Sequence, residues 1–176
     1  MEELIAKRYI KALKSLMSVE ELKKTLELFE IISTLFQDPK IKSVLLSPEV
    51  KEEKKAKLLI EAIKPEDKRI INFIELLAQK RRLALFPILA KELRIELAIM
   101  QKEFEGCIYS NFDLDEKEIE SIQEALSKRV DASIKLKQCS HEYDGIKVEV
   151  DTIGIEIDFS RSKIKKQLIE NILKAI

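Results

Sequence analysis

Apolar residues recur every three or four positions through most of residues 1–105, which is the spacing of one face of an α-helix. Between residues 70 and 80 one side of a helical projection is apolar and carries Ile70, Phe73, Ile74 and Leu77. Ile71 and Leu76 fall well off that side. A helix needs only one apolar face to join a core, so this segment has surplus apolar surface. Such surface usually contacts a partner.

Proline and capping residues divide residues 1–105 into helices. Asp38-Pro39, Ser47-Pro48 and Lys64-Pro65 each place a proline in a predicted first turn, and Ser18 begins a capping-box pattern. The predicted helices span 2–17, 19–36, 39–46, 49–63, 66–80 and 84–104. Because their connections are short, we expect them to pack against one another as a six-helix bundle.

The first predicted helix carries two neighbouring apolar stripes. One stripe consists of Ala6, Ile10, Leu13 and Met17, and the other of Ile5, Tyr9, Ala12 and Leu16. Two interpretations fit this pattern. Either the helix lies deep in the bundle with both stripes buried, or one stripe faces the core and the other faces a partner. Periodicity favours deep burial and leaves the second interpretation open.

The pattern changes near residue 105, beyond which all three glycines lie. Alternation of apolar and polar residues there is typical of half-buried strands. The predicted strands span 107–112, 134–139, 146–150 and 153–157. Predicted helices span 115–129, opened by a capping box at Asp113–Glu116, and 161–175, with Ser160 as its cap. The chain is therefore predicted to be α+β and mostly α. An N-terminal six-helix bundle spans 1–105, and a small β-α-β-β-β-α domain spans 106–176.

Charge and hydropathy exclude some classes of function. The 32 basic and 32 acidic residues balance, whereas nucleic-acid binding needs a basic patch of one sign. The sequence has no run of 18 or more apolar residues, so no membrane span is predicted. The first residues lack the apolar core of a signal peptide. We therefore expect a cytoplasmic chain, unless a partner holds it at a surface.

The residues that could carry chemistry form no catalytic pattern. Three scattered glycines cannot make a phosphate-binding loop, and His141, the sole histidine, lies in a stretch without a nucleophile signature. Cys139 and His141 supply only half of a zinc site. In a cytoplasmic chain, Cys107 and Cys139 are expected to be free thiols on buried strands. The sequence thus indicates no cofactor, no metal and no catalytic residue.

The basic cluster Lys80-Arg81-Arg82 allows two interpretations. It could bind phosphate, which makes a nucleic-acid-binding helical module the alternative function. More often, basic residues at the C-terminus of a helix favour the helix dipole, and we prefer that interpretation. An enzyme with a site between the two domains is the least favoured hypothesis, because no nucleophile, metal or phosphate motif is present.

Four segments, taken in order, resemble one known family. Residues 6–13 resemble the opening Ala-x-x-Tyr-Ala-x-Ala-Leu pattern of the δ subunit of F-type ATP synthases, whose mitochondrial relative is the oligomycin-sensitivity-conferring protein. Residues 73–88 are similar to its two apolar helices around Arg-Leu-x-x-Leu-Pro-x-Ile. Residues 144–148 resemble its Gly-Gly strand start and 158–160 its closing Asp-Gly-Ser, with Asp144 and Phe159 replacing glycines. The matches extend over essentially the whole chain.

The resemblance implies a non-catalytic subunit of the peripheral stalk, or stator. Such a subunit ties the catalytic head to the membrane sector at the cytoplasmic face of the inner membrane and resists rotor torque. Its N-terminal bundle would hold the N-terminal helix of an α subunit, and its C-terminal domain would meet the C-termini of the b subunits. This is helix-in-groove recognition. The implied contact residues are Tyr9, Ala12 and Leu13 on the first helix, and Asn72 and Leu76 on the fifth.

Overall fold

The chain folds into two compact units, Met1–Leu97 and Ala98–Ile176, each with its own core. A computed structural model describes residues 2–140 and 143–160. The predicted last helix, 161–175, and His141 lie outside these described residues. The predicted class, α+β and mostly α, is confirmed.

Six helices form the first unit, in the predicted order. They are α1 (Glu2–Leu16), α2 (Val19–Leu35), α3 (Pro39–Leu46), α4 (Glu52–Ile63), α5 (Lys68–Gln79) and α6 (Phe86–Gln101). A 3-10 turn, Leu83–Leu85, leads into α6, which continues past Leu97 into the second unit.

Local capping explains where these helices begin. Ser18 and Glu21 form the predicted capping box, and the Asp38 carboxylate caps α3 ahead of Pro39. The predicted start of α4 at residue 49 is wrong by three residues. The Ser47 hydroxyl accepts a hydrogen bond from the Glu49 amide at 3.2 Å, a local turn that competes with the helix. In α5, Asp67 is the cap, so the helix begins at residue 68 instead of 66.

Aromatic rings from three helices meet in the core of the first unit. The Phe29 ring of α2 stacks on Phe73 of α5 with centroids 5.6 Å apart, and it meets Phe86 of α6 edge to face at 5.3 Å. Ile10, Ile74 and Leu77 are also fully buried there. The core-facing side predicted for α5 is thereby confirmed.

The second unit is a four-stranded sheet with one described helix. Its elements are β1 (Glu103–Ser110), α7 (Glu116–Val130), β2 (Ser133–Ser140), β3 (Gly145–Val150) and β4 (Ile155–Ser160). The strand order is β2-β1-β3-β4; β1 and β2 are parallel, and the other pairs are antiparallel. The predicted β-α-β-β-β order is confirmed. The first strand begins four residues earlier than predicted, and the capping box of α7 joins Asp115 to Glu118, not Asp113 to Glu116.

A single apolar cluster fills this second unit. Its buried members come from the sheet and from α7: they are Phe104, Ile108, Leu126, Ile134, Leu136, Val148 and Val150. Gly106 lies on β1 where the strand passes close to its neighbours. A Cβ atom there would sit 2.7 Å from the Glu149 carbonyl oxygen, so glycine is the residue that fits.

The expectation of two free thiols on buried strands is wrong. Cys107 and Cys139 are joined by a disulfide between β1 and β2, with their Cα atoms 5.5 Å apart. Cys107 is half-buried and Cys139 is exposed. The pairing register skips Cys139, because Ile108 faces Gln138 and Tyr109 faces Ser140. Cys139 is therefore the extra residue of a β-bulge, a feature that sequence alternation does not show.

Candidate functional site, the α1/α5 surface

The two stripes of α1 have different environments. Ala6, Ile10, Leu13 and Met17 are buried, as predicted for a core-facing stripe. In the second stripe Ile5 and Tyr9 are half-buried, Ala12 is exposed and Leu16 is 63% exposed. Deep burial of both stripes, the favoured interpretation, is therefore wrong. One apolar stripe of α1 remains at the surface of the unit.

On α5 the surplus apolar residue lies outside the core. Leu76 is 40% exposed, and Asn72, one helical turn before it, is also exposed. Ile71 is half-buried, in agreement with the view that it widens the core. We call the outward-facing residues of the two helices the α1/α5 surface: Ile5, Tyr9, Ala12, Leu16, Asn72 and Leu76.

Three contacts hold α1 beside α5. The Tyr9 ring meets Phe73 edge to face, with centroids 5.7 Å apart and planes at 86°. Near the end of α1, Arg69 Nη1 donates a hydrogen bond to the Leu16 carbonyl oxygen at 2.7 Å. Just beyond α5, Arg82 Nη1 donates one to Tyr9 Oη at 2.9 Å. The last residue of α1 thus lies by the start of α5, and the two helices run antiparallel.

Tyr9 is the most constrained residue of this surface. Its ring packs on Phe73, its hydroxyl accepts from Arg82, and the Arg82 guanidinium carbon lies 5.9 Å from the ring centroid. A half-buried aromatic ring held on two sides loses little side-chain entropy when a partner covers it. Tyrosine of this kind is a common anchor in protein interfaces.

Of the five predicted contact residues, four lie at the surface. Tyr9, Ala12, Asn72 and Leu76 have exposed atoms, whereas Leu13 is only 4% exposed and belongs to the core. Leu13 falls on the inner stripe because it lies about 40° around the helix from Tyr9, on the side of Ile10. Its contribution is to hold α1 in place, and it offers almost no contact area.

The five predicted contact residues leave out Leu16 and the support that Tyr9 receives from Arg82. Leu16 belongs to the same stripe as Tyr9 and Ala12, so its spacing in the sequence is a readable signal. The preferred interpretation of the sequence places Arg82 at a helix terminus together with Lys80 and Arg81. Lys80 does cap α5 and Arg81 follows it in the left-handed conformation, but Arg82 turns back to Tyr9, 73 positions away in sequence. No local pattern predicts so distant a contact.

A charged network fixes the junction of α1, α2 and α5. Arg69 Nη2 lies 2.5 Å from a Glu21 carboxylate oxygen and 2.6 Å from one of Asp67. The pKa of Glu21 is lowered, first by the hydrogen bond from the Ser18 backbone amide and then by that from Arg69. The pKa of Asp67 is lowered mainly by the Arg69 side chain. Both carboxylates are thus held in their charged form at the edge of the α1/α5 surface.

Within the described residues no three His, Cys, Asp or Glu side chains are grouped so that they could hold a metal ion. Cys139, the only described member of the half-site considered above, is bonded to Cys107. None of the described helices has the length and apolar character needed to cross a bilayer.

Comparison with known proteins decides the family. The family model described as ATP synthase delta (OSCP) subunit matches residues 5–168. The chain belongs to this family. It is 51% identical over 176 residues to the ATP synthase subunit delta of a Nitratiruptor species, and 40% identical over 176 residues to that of Aliarcobacter butzleri. Both alignments cover all of each chain.

A solved structure has the same fold. A chain in the cryo-EM structure of the Toxoplasma gondii mitochondrial ATP synthase hexamer matches with a TM-score of 0.61, covering 96% of this chain and 97% of that one. At 16% identity this similarity concerns the fold alone. Family membership makes the protein a structural, non-catalytic subunit of the ATP synthase peripheral stalk. The nucleic-acid-binding alternative has no support.

Proposed function

We propose that this chain links the catalytic head of a proton-translocating ATP synthase to its membrane sector and resists rotor torque during ATP synthesis. In this proposal the N-terminal helix of an α subunit covers the α1/α5 surface. The C-terminal unit meets the C-termini of the b subunits. The complex as a whole would hold the chain at the cytoplasmic face of the membrane.

The observation that carries this proposal is the exposed apolar stripe of α1 beside Leu76. Leu16 and Leu76 are 63% and 40% exposed, in a unit that has a complete core without them. Two neighbouring helices with exposed apolar side chains can receive a third amphipathic helix. Full burial of a leucine side chain is worth about 1.5–3 kcal/mol, so these two residues and Tyr9 can supply much of the affinity.

The rigidity of the surface fits a stator. A subunit that resists torque must not rearrange under load, and three contacts tie α1 to α5 and to the segment after it within the unit itself. The Tyr9–Phe73 contact and the Arg69 and Arg82 hydrogen bonds set the spacing of the two helices. A surface ordered in advance loses less entropy on binding and releases its partner more slowly.

The C-terminal unit also has exposed apolar residues. Phe112, just after β1, and Phe159, on β4, are 46% and 59% exposed. Large exposed aromatic side chains are enriched in protein interfaces. They support a contact with the b subunits in this unit.

Leu76→Asp tests the α1/α5 surface. We expect the affinity of the full chain for a synthetic peptide of the α-subunit N-terminus to fall at least about tenfold, because a carboxylate would be buried against apolar atoms. Calorimetric titration measures the affinity, and circular dichroism checks that the helices remain intact. Leu58→Asp is the matched control, since Leu58 lies on α4 and is 48% exposed. Unchanged affinity in Leu76→Asp would exclude the proposed surface.

A further inference from the structure

The bulge in β2 brings the two cysteines close enough to bond. In the regular part of the register Cys107 faces Lys137, two residues before Cys139. From strand spacing and rise, Cα atoms in that diagonal relation are about 8 Å apart. A disulfide needs less than about 7 Å. With Cys139 as the extra residue, the Cα–Cα distance is 5.5 Å.

The pair is open to reagents in solution. Ile108 points into the core, so its neighbour Cys107 lies on the opposite face of the sheet, and the disulfide holds the Cys139 sulfur on that same face. Cys139 is exposed and Cys107 is half-buried. β2 is an edge strand of the described sheet, so one side of Cys139 has no neighbouring strand there. A small thiol or disulfide can therefore approach Cys139 more easily than Cys107.

We propose that Cys107 and Cys139 form a reversible thiol–disulfide exchange site in the C-terminal unit. Its co-reactants are small-molecule disulfides and thiols. This site is separate from the α1/α5 surface and does not depend on the function proposed above. Exposed disulfides are generally the labile ones, which agrees with a reversible bond at the exposed Cys139.

The exposures set the order of the steps. The Cys139 thiolate attacks one sulfur of a small disulfide, forms a mixed disulfide and releases one small thiolate. The Cys107 thiolate then attacks the Cys139 sulfur, closes the intramolecular bond and releases the second small thiolate. The small disulfide gains two electrons, the protein loses two, and the two thiol protons pass to the released thiolates. Excess small thiol reverses both steps, attacking Cys139 first.

Closing the bond constrains the second unit. The two cysteines are 32 residues apart in sequence, and the loop between them contains α7. A cross-link over such a loop stabilises a domain mainly by restricting its unfolded state. It also fastens the edge strand β2 to β1. Oxidation is therefore expected to make the C-terminal unit more resistant to unfolding.

Thiol trapping on the full chain tests the site. The chain is equilibrated with mixtures of reduced and oxidised glutathione. Its remaining free thiols are then alkylated, and mass spectrometry measures the mass of the chain. We expect one intramolecular disulfide in the oxidising mixtures and its loss in the reducing ones. In single variants, Cys107→Ser should acquire glutathione on Cys139 at least about tenfold faster than Cys139→Ser acquires it on Cys107. Two free thiols under oxidising conditions, or equal rates in the two variants, would overturn the proposal.

A second experiment compares the melting temperature of the wild-type chain in its oxidised and reduced forms. Wild-type chain should melt several degrees higher in the oxidising mixture than in the reducing one, as followed by circular dichroism. The double variant Cys107→Ser/Cys139→Ser should melt at one temperature in both. Equal melting temperatures for the oxidised and reduced wild type would contradict the predicted constraint.

Discussion

Residues 1–105 contain no glycine. Three described helices of this region are followed by a residue in the left-handed conformation, and that residue is basic in each case. Lys64, Arg81 and Lys102 have φ of 43°, 55° and 53°. Glycine is the usual residue at such positions because a Cβ atom makes the left-handed conformation costly. The chain thus accepts backbone strain and keeps positive charge near the C-terminal ends of its helices, where the dipole favours it.

Lys64→Gly is expected to stabilise the first unit. Glycine removes the left-handed penalty of about 1–2 kcal/mol at this residue, whereas the lost dipole interaction is about 0.3–1 kcal/mol. Urea unfolding should therefore give an increase of roughly 0.5–1 kcal/mol in the free energy of unfolding. Lys57→Gly makes the same chemical change at an exposed position inside α4 and should cost about 1 kcal/mol. A loss of stability in Lys64→Gly would contradict this account of the helix end.

Gly106→Ala is expected to destabilise the second unit. Its new Cβ atom would meet the Glu149 carbonyl oxygen at 2.7 Å and the Leu136 and Val150 side chains at 2.8 Å. Such overpacking costs about 1–3 kcal/mol. Gly154→Ala is the control: it meets no atom within 4 Å and carries only the cost of φ = 64°. Thermal melts that rank Gly154→Ala as the more damaging change would contradict the packing argument.

At the scale of elements, the junction of α1, α2 and α5 determines how the α1/α5 surface is built. Arg69 contacts the end of α1, the first turn of α2 and the cap of α5 at once. A single side chain therefore sets the relative positions of three helix ends. Loss of this junction would leave the outer stripe of α1 intact but alter its spacing from Leu76.

The junction predicts a pH dependence of stability. The pKa values of Glu21 and Asp67 are lowered in the folded chain, so the folded state holds fewer protons on these groups than the unfolded state. Their stabilisation is complete above the ordinary values of 4.5 and 3.8 and is lost as the pH falls through the lowered ones.

Arg69→Gln should reduce that dependence. Without the guanidinium, both pKa values move back toward their ordinary values, so urea unfolding should show a smaller loss of stability between about pH 7 and pH 3 than in the wild type. Arg94→Gln removes an exposed ion pair with Glu30 on α2 and serves as the control, which should keep the wild-type slope. If both variants behave alike, the Arg69 junction is not the source of the effect.

At the scale of the whole molecule, most elements could be predicted because each helix or strand carries its own apolar period. The inner side of α5, with Ile70, Phe73 and Ile74, follows directly from a spacing of about 3.6 residues. Strand alternation fails at Cys139, since a bulge changes the register without changing the composition. The prediction of where α4 starts is wrong because Ser47 forms a local turn that competes with the helix.

The candidate surface could be predicted only in part. The exposed position of Leu76 follows from its angle on α5, and two stripes on α1 are visible in the sequence. Which stripe faces outward depends on where the neighbouring helices lie, and the spacing of apolar residues along α1 does not give those positions. The Arg82–Tyr9 hydrogen bond joins residues 73 positions apart, so only the folded chain shows it.

The central claim is that a helix of the α subunit covers the α1/α5 surface. Hydrogen–deuterium exchange of the full chain, with and without the α-subunit N-terminal peptide, tests it most directly. The account predicts slower exchange in α1 and α5 and no change in α3. Binding with protection in α3 or α4 but none in α1 and α5 would contradict it.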